Sequence, residues 1–299
     1  MSRLPIHLLM FVSAALVSTS FTVGAAIAHG MEPALLTLFR FVLAAAIMGP
    51  LVYRHCGFRV SVAELLRYSC ISATLVFFFW CMFLSLRYTT ALNTSVIFTL
   101  VPSISALYAF FLIGERLGRS RIIAMLLGLA GAVWVIFRGD SSQLVAMAWN
   151  LGDLIFLLGC FSMAFYTPLV HLFHRGESML KMTFWVLVTG CGWLFVLTLR
   201  ELMQLPFYDV APQVWAGIVY LAIFTTIITF FLTQFATLRL GSTTVMSYSY
   251  LYPLFVVVIE LFLGHGLPDP RTWPGVMMVL LAMMVILKGR KPLVTQARV

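Results

Sequence analysis

Residues 77–88 read FFFWCMFLSLRY, and residues 229–240 read TFFLTQFATLRL. Identical residues align at five positions, which are Phe78/Phe230, Phe79/Phe231, Phe83/Phe235, Leu86/Leu238 and Arg87/Arg239. Farther along, Pro102 matches Pro253 within one residue of the same spacing. The chain therefore resembles itself at a spacing of about 150 residues. Such an internal repeat decides the fold before any single motif does, and it predicts two related halves, residues 1–145 and 146–299.

The composition excludes a water-soluble protein. Hydrophobic residues make up 62% of the 299 residues, charged residues make up only 10%, and the mean hydropathy is +1.03. An ordinary soluble domain carries about 25% charged residues, because its surface must be polar. A soluble enzyme, a secreted disulfide scaffold and a disordered protein are therefore excluded. We predict a polytopic membrane protein, whose spans need about 20 apolar residues each.

Apolar stretches recur ten times, separated by short breaks that contain charged residues, proline or glycine. They cover residues 6–28, 33–53, 67–86, 90–113, 121–137, 151–172, 182–199, 213–238, 242–264 and 272–288. Because each half holds five spans, an odd number, the second half enters the membrane in the direction opposite to the first. The predicted fold class is an all-α polytopic membrane protein with ten transmembrane helices in two inverted five-helix repeats. This architecture is common in secondary transporters, which place their site between the repeats and work by alternating access; a duplicated bundle without a transport role is the alternative.

The distribution of lysine and arginine sets the orientation. With the amino terminus in the cytoplasm, 14 of the 19 Lys and Arg residues lie on the cytoplasmic side and 4 lie outside, while Arg40 lies within a span. Cytoplasmic loops of membrane proteins carry such an excess. Both termini are therefore predicted to be cytoplasmic, and the net charge of +9 is assigned to lipid headgroups rather than to nucleic acid.

Several short motifs resemble those of the drug/metabolite transporter superfamily, EamA type. They are Pro102, residues 114–117 (GERL), Gly128, residues 131–133 (GAV), residues 40–41 (RF) and residues 152–154 (GDL). The resemblance covers both halves and is greatest to bacterial exporters of aromatic amino acids. It implies a bacterial inner-membrane exporter with a central cavity lined largely by the third, fourth, eighth and ninth helices. The second half departs from the family pattern at Gly264-His265, where the family usually has Gly-Glu, and at Phe184, where an arginine is common.

Two polar segments at matched positions beside prolines are candidates for the wall of a substrate cavity. A proline removes the hydrogen bond to the carbonyl four residues earlier, so the carbonyls of Phe98 and Ser249 could accept one from a substrate ammonium group. The alternative is that these hydroxyls bond to their own helical turn or to a neighbouring helix. The candidates are Asn93, Ser95, Thr99 and Ser103 around Pro102 in the fourth span, and Tyr248, Ser249 and Tyr252 before Pro253 in the ninth.

Other spans offer four further cavity candidates. Trp80 ends a run of four aromatic residues, and its indole N–H needs a partner. Tyr166 stands near a proline in the sixth span. Thr229 belongs to a stripe of threonines at every fourth residue of the eighth span, and Gln234 lies beside that stripe. Ordinary packing or lipid-facing positions are the alternatives for the aromatic residues.

Charged residues within the spans are scarce. Arg40, Asp153 and Glu260 all lie toward the outer leaflet in the predicted topology. A charge at such depth must pair or face water. We hypothesise that Arg40 pairs with Glu260 or Asp153 and closes the outer side as a gate, with a static structural pair or snorkelling as the alternative. No carboxylate lies near the midplane of a span, which favours a facilitator over a proton-coupled antiporter.

Motifs of the common enzymes and of ATP use are absent from the sequence. It contains no P-loop, no HExxH and no GxSxG. The five cysteines are scattered and favour neither a metal site nor a disulfide framework, so no cofactor is expected. A small-residue pair, Gly128 and Ala132, could pack within a monomer or form a homodimer.

The sequence therefore predicts a membrane carrier that exports small amphipathic metabolites, with amino acids as the leading class. The preference for aromatic and other bulky apolar amino acids comes from the family resemblance. A multidrug, nucleotide-sugar or other metabolite carrier of the same fold is the first alternative. A membrane-embedded enzyme is the second alternative.

Overall fold

The computed structural model describes residues 4–113, 118–136, 139–140, 150–204, 210–240, 245–246, 248–266 and 269–288. These residues form helices and short connections, and the described part of the chain contains no strand. The helices are α1 (Leu4–Ile27), α2 (Pro33–Cys56), α3 (Val62–Ser85), α4 (Ala91–Phe98), α5 (Val101–Ile113), α6 (Arg119–Ile136), α7 (Leu151–Phe173), α8 (Met179–Leu197), α9 (Leu199–Gln204), α10 (Pro212–Ala222), α11 (Thr229–Leu240), α12 (Tyr252–Phe262) and α13 (Trp273–Lys288). A π-helical turn over Ile223–Ile228 joins α10 to α11, and a 3₁₀ turn over Tyr248–Leu251 precedes α12.

Within the described part of the chain, seven apolar stretches are long enough to cross a bilayer, and this confirms the polytopic membrane class. They are Pro5–Ile27, Pro33–Cys56, Val62–Ser85, Ala91–Leu112, Leu151–Val170, Met179–Leu197 and Pro212–Thr233. Three shorter apolar helices cover Ile122–Val135, Tyr248–Phe262 and Pro270–Val285. The shorter helices coincide with the fifth, ninth and tenth predicted spans, so the count of ten stays a prediction.

Local sequence explains where the helices begin and break. Glu32 caps α2, because its carboxylate accepts hydrogen bonds from the backbone N–H groups of Ala34 and Leu35 at 2.7 and 3.1 Å. In the fourth span, α4 ends at Phe98 and α5 begins three residues later with Pro102 in its first turn. Pro253 likewise lies in the first turn of α12. Each proline therefore sits just after a break, as expected for a residue that lacks a backbone N–H.

Glycines allow the closest helix contacts. A Cβ atom on Gly131 of α6 would lie 2.6 Å from the carbonyl oxygen of Gly275 on α13, and a Cβ atom on Gly275 would lie 2.7 Å from the carbonyl oxygen of Gly131. Backbone therefore meets backbone where α6 and α13 cross. Gly128 faces the ring of Tyr250, and Ala132 is fully buried. The small-residue pair of α6 thus packs within this chain.

The helices of the two halves pack on one another in corresponding pairs. In the first half, α3 packs along α7 and α8, and the fourth span packs along α7. In the second half, α10 and α11 pack along α2 and α1, and α12 packs along α1. The second span packs on the seventh, and the fifth packs on the tenth. If each span of the first half is exchanged with its counterpart in the second half, the same set of contacts results.

Candidate functional site

Arg40 lies in the interior and is held by the π-helical turn. Its side chain is 1% exposed. Its Nε donates to the Thr226 hydroxyl at 2.9 Å, and its Nη2 donates to the Thr225 hydroxyl at 3.1 Å and to the Thr225 carbonyl at 3.3 Å. The guanidinium carbon lies 4.3 Å from the centre of the Phe79 ring, which is a cation–π distance. All these neighbours are uncharged.

The π-helical turn explains why two successive threonines reach one arginine. Both hydroxyls donate to the carbonyl of Leu221, which lies four residues before Thr225 and five before Thr226, at 2.9 and 3.0 Å. Since each hydroxyl hydrogen is used in this way, the oxygen lone pairs are left to accept from Arg40. Thr229, a predicted cavity residue, donates to the Thr225 carbonyl at 3.0 Å and so joins the same turn.

Asp153 belongs to a separate polar network at the start of α7. It is buried, and it accepts hydrogen bonds from the Thr89 hydroxyl at 2.5 Å and from the Asn93 amide at 3.2 and 3.4 Å. Its carboxylate lies in the first turn of the helix, where the helix dipole favours negative charge. The Asn93 amide, predicted to face substrate, is therefore bonded to this carboxylate.

Glu260 lies in a third place, in the last turn of α12. Its carboxylate accepts from the Thr22 hydroxyl at 2.8 Å and lies 2.6 Å from Nδ1 of His265. In this structure Arg40 pairs with neither Asp153 nor Glu260, and the gate formed by such a pair stays a hypothesis. Within the described residues no carboxylate contacts the Arg40 guanidinium.

Five aromatic rings meet in the interior and form what we call the aromatic cluster. Phe98 lies 5.6 Å from Phe78, 5.9 Å from Phe21 and 5.5 Å from Tyr252, measured between ring centres. Phe156 lies 6.2 Å from Phe21 and 6.0 Å from Phe78. Aromatic pairs at such distances stabilise by about 0.5–1.5 kcal/mol each beyond their burial. The rings come from α1, α3, α4, α7 and α12, so the aromatic cluster joins the first half to the second.

The aromatic cluster and Arg40 are connected through α3. The Phe79 ring that stacks on Arg40 lies 5.0 Å from the ring of Phe78, which belongs to the aromatic cluster. A guanidinium therefore stands at one end of a row of rings, and the half-buried Tyr252 stands at the other. Such a combination suits a ligand with both an apolar and a polar part.

The predicted hydroxyl face of the fourth and ninth spans is mostly engaged with its own helices. Ser95, Thr99 and Ser249 are buried and donate to carbonyls three residues earlier at 2.7, 2.6 and 2.8 Å. Ser103 differs, because its hydroxyl lies 3.3 Å from the Tyr250 hydroxyl and so bridges the two spans. Tyr248 contacts Nδ1 of His7 on α1 at 2.5 Å.

Trp80 lies away from the aromatic cluster, in a lateral cavity of about 430 Å³. The cavity is formed between α3 and α8, with Phe77, Trp80 and Trp193 among its apolar walls and with Glu32 and Glu201 also lining it. Phe78 and Phe79, the preceding residues, face the interior instead. Neighbouring residues of a helix point about 100° apart, so members of this aromatic run face different surroundings. The place of Trp80 in a substrate cavity stays a prediction.

Tyr166 is half-buried on α7, and its hydroxyl makes no hydrogen bond with the residues described. The side chain of Gln234 lies outside the described residues, and its candidacy stays a prediction. Thr226 and the rings of Phe21, Phe98 and Phe156 were missed by the sequence analysis, although it had named the Phe98 carbonyl. The sequence pointed to them only through the adjacent threonines at 225 and 226 and through the repeated phenylalanines. Phenylalanines also occupy lipid-facing positions, so their repetition could not identify the interior rings.

Glu177, in the connection between α7 and α8, has a pKa below its usual value. Burial raises this pKa, but the backbone N–H groups of Glu177 itself and of Arg175 and the positive charge of His174 and Arg67 lower it more. Oε2 accepts from the Arg175 N–H at 2.7 Å, and Oε1 accepts from the Tyr68 hydroxyl at 3.3 Å. While it is ionised, the Glu177 carboxylate holds the connection between α7 and α8 against α3 through Tyr68.

Apolar helices that are long enough to cross a bilayer, with charged and aromatic groups enclosed between two packed halves, define a multi-pass membrane protein. A sequence model of the EamA-like transporter family matches twice, over residues 4–137 and 150–288. The chain belongs to the EamA-like transporter family, and it is therefore a membrane transporter.

Similar proteins agree with this assignment. The uncharacterized transporter YyaM of Bacillus subtilis (strain 168) is 22% identical over 267 residues, which cover 88% of both chains. An uncharacterized transporter of Archaeoglobus fulgidus is 26% identical over 249 residues, covering 80% of this chain and 82% of the relative. A crystal structure that covers 97% of this chain and 100% of its own matches with a TM-score of 0.68 at 19% identity, which is a likeness of fold.

Proposed function

We propose that this transporter exports amino acids, aromatic and other bulky apolar ones above all, across the bacterial inner membrane. It works by alternating access between two inverted five-helix repeats, residues 1–145 and 146–299. Both termini lie in the cytoplasm, ten helices cross the bilayer, and the chain acts as a monomer or homodimer. In this it resembles the bacterial aromatic amino acid exporter YddG. ATP is not used, and the gradient of the substrate itself drives transport.

The observation that carries the proposal is the aromatic cluster between the halves. Rings on α1, α3 and α4 of the first half meet rings on α7 and α12 of the second. An apolar amino-acid side chain offers the same kind of surface as those rings, so it can replace ring-to-ring contacts when the halves part. Arg40 supplies a polar group at one end of the row of rings.

The exchange symmetry of the helix contacts supports the two-repeat mechanism. Corresponding spans of the two halves make corresponding contacts, as for the second span on the seventh and the fifth on the tenth. A bundle with this symmetry has two equivalent arrangements, in which the roles of the halves are exchanged. Inverted repeats convert that equivalence into opening on opposite sides of the membrane.

The experiment uses the purified chain in liposomes loaded with labelled phenylalanine. We expect unlabelled phenylalanine, tryptophan or leucine outside to accelerate loss of the label, while aspartate and lysine do not. The label should leave chemically unchanged, which distinguishes transport from catalysis. An imposed pH gradient should not drive uphill movement. Liposomes without protein are the control, and exchange of none of these amino acids would refute the proposal.

A second candidate, transport of hydrophobic cations, is favoured by the lateral cavity. Trp80 and Trp193 offer aromatic faces there, and Glu32 and Glu201 supply negative charge. The same liposomes test it with labelled tetraphenylphosphonium. Saturable exchange of this cation that Trp80→Ala abolishes, together with no exchange of phenylalanine, would favour the second candidate over the first.

A further inference from the structure

We propose that Arg40 binds the carboxylate of the transported substrate. The inference rests on the proposed function and narrows its substrate class to compounds that carry a carboxylate next to an apolar group. It assigns this role to the enclosed guanidinium between α2 and the π-helical turn.

The positive charge of Arg40 has no counter-ion among the residues that the structure describes. Its partners are two threonine hydroxyls, one backbone carbonyl and the face of Phe79, and none of these carries a charge. Enclosing an ion without a counter-ion costs several kcal/mol, and intramembrane charges are therefore paired or functional. The chain holds buried or half-buried carboxylates elsewhere, at Asp153 and Glu260, but neither contacts Arg40. Arg40 is therefore not one half of a structural ion pair with either of them.

The guanidinium also keeps an unused donor. Nη1 is enclosed, and it has no hydrogen-bond partner among the described residues. Nη1 carries two N–H groups, and a charge-assisted hydrogen bond from a guanidinium to a carboxylate is about twice as strong as one between neutral groups. An incoming carboxylate would satisfy Nη1 and neutralise the charge together, whereas a water molecule would do only the first.

The two threonines cannot themselves hold an anion. Their hydroxyl hydrogens already point at the Leu221 carbonyl, and their lone pairs face Arg40. The Thr225 and Thr226 side chains therefore act as acceptors that orient the guanidinium and leave Nη1 as the free donor. Substrate must enter between α2 and the π-helical turn, which requires the separation of helices that alternating access supplies.

The neighbourhood also fixes where the rest of the substrate lies. Phe79 covers one face of the guanidinium and continues through Phe78 into the aromatic cluster. A carboxylate on Arg40 therefore places an attached apolar side chain against these rings. An amine that lacks a carboxylate would instead bring a second positive charge toward Arg40.

The test compares phenylalanine with its amide and with phenethylamine as competitors for phenylalanine exchange in liposomes. In the wild-type protein we expect phenylalanine to compete at concentrations roughly 10- to 100-fold below those of the two compounds without a carboxylate, which is the value of one charged hydrogen bond. Arg40→Gln should remove this preference by weakening phenylalanine alone. Arg40→Lys should keep part of it, because the charge remains but the planar guanidinium that the two threonines orient is lost.

Arg87→Gln is the matched control. Arg87 is a half-buried arginine that donates to the carbonyls of Ala28 and Met31 at 2.7 Å, so its loss tests a purely structural arginine. This variant should lower stability and leave the preference for carboxylate intact. If wild-type protein exchanges phenylalanine but takes the amide equally well, the role of Arg40 is refuted while the proposed function stands. If wild-type protein exchanges no amino acid, both are refuted. The wild-type comparison decides these outcomes even if Arg40→Gln does not fold.

Discussion

Alanine at Gly131 should weaken the protein, because this glycine lies where α6 and α13 cross backbone to backbone. The new Cβ atom would lie 2.6 Å from the carbonyl oxygen of Gly275, whereas ordinary contact begins at 3.4 Å. The obstacle is backbone and cannot turn aside as a side chain could. The two helices would therefore have to separate by about 0.8 Å along their contact.

The magnitude follows from a comparison with Gly192 on α8, where a Cβ atom would meet nothing within 4 Å. Alanine gains about 1 kcal/mol of helix stability over glycine at either position, so this gain cancels between the two variants. The difference that remains is the overpacking cost, which is about 1–3 kcal/mol in a well-packed interior. Gly192→Ala should therefore stabilise the protein, and Gly131→Ala should destabilise it or at best leave it unchanged.

The assay is thermal unfolding of both variants and the wild type in the same detergent, followed by tryptophan fluorescence or by reactivity of buried cysteines. We expect the order Gly192→Ala, wild type, Gly131→Ala in unfolding temperature. Equal unfolding temperatures for the two variants would mean that α6 and α13 do not cross at these glycines, and the packing of the fifth on the tenth span would be wrong.

Three further predictions concern stability. Asp153→Asn should lower the free energy of unfolding by about 1–3 kcal/mol, because the Thr89 hydroxyl loses a charged acceptor and the start of α7 loses a negative charge. Thermal unfolding measures the change. A loss no larger than that of Thr89→Ser, which keeps a hydroxyl at residue 89, would contradict the network. Wild type should unfold at a higher temperature than Glu177→Gln. The difference should be largest above the usual carboxyl pKa and should disappear as the pH falls through the lowered pKa of Glu177. A difference that grows in acid would contradict this prediction. Phe156→Ala should cost about 3–5 kcal/mol because this ring is fully buried, whereas Phe161→Ala, at a 43% exposed position of the same helix, should cost far less; equal costs would remove Phe156 from the interior.

Features encoded by local sequence were predictable. Apolar runs give the helices, because a bilayer span requires uninterrupted apolar residues. Pro102 and Pro253 mark breaks, because proline cannot continue the backbone hydrogen bonds of the preceding turn. The family resemblance rested on short motifs of this kind, and the family model confirms it over both halves.

Features that depend on helix rotation and on distant partners were not predictable. Trp80 and Phe79 are adjacent in sequence, yet one lines the lateral cavity and the other stacks on Arg40. Choosing between them requires the rotation of α3 about its axis, which is set by its packing on α7 and α8. The partners of Arg40 depend on the π-helical turn, whose extra residue per turn a 3.6-residue pattern cannot reveal.

The two kinds of contact between the halves differ in what they allow. At Gly131 and Gly275 the helices meet through backbone atoms with no side chain between them, so any relative sliding brings a new residue with a Cβ atom into the same narrow space. In the aromatic cluster the helices meet through ring faces and edges, which can exchange partners because every ring offers a similar surface. We therefore expect α6 and α13 to stay together as a rigid pair during transport, while α1, α4 and α12 change their contacts around the substrate. A disulfide between α6 and α13 should leave exchange intact, whereas one between α4 and α12 should stop it.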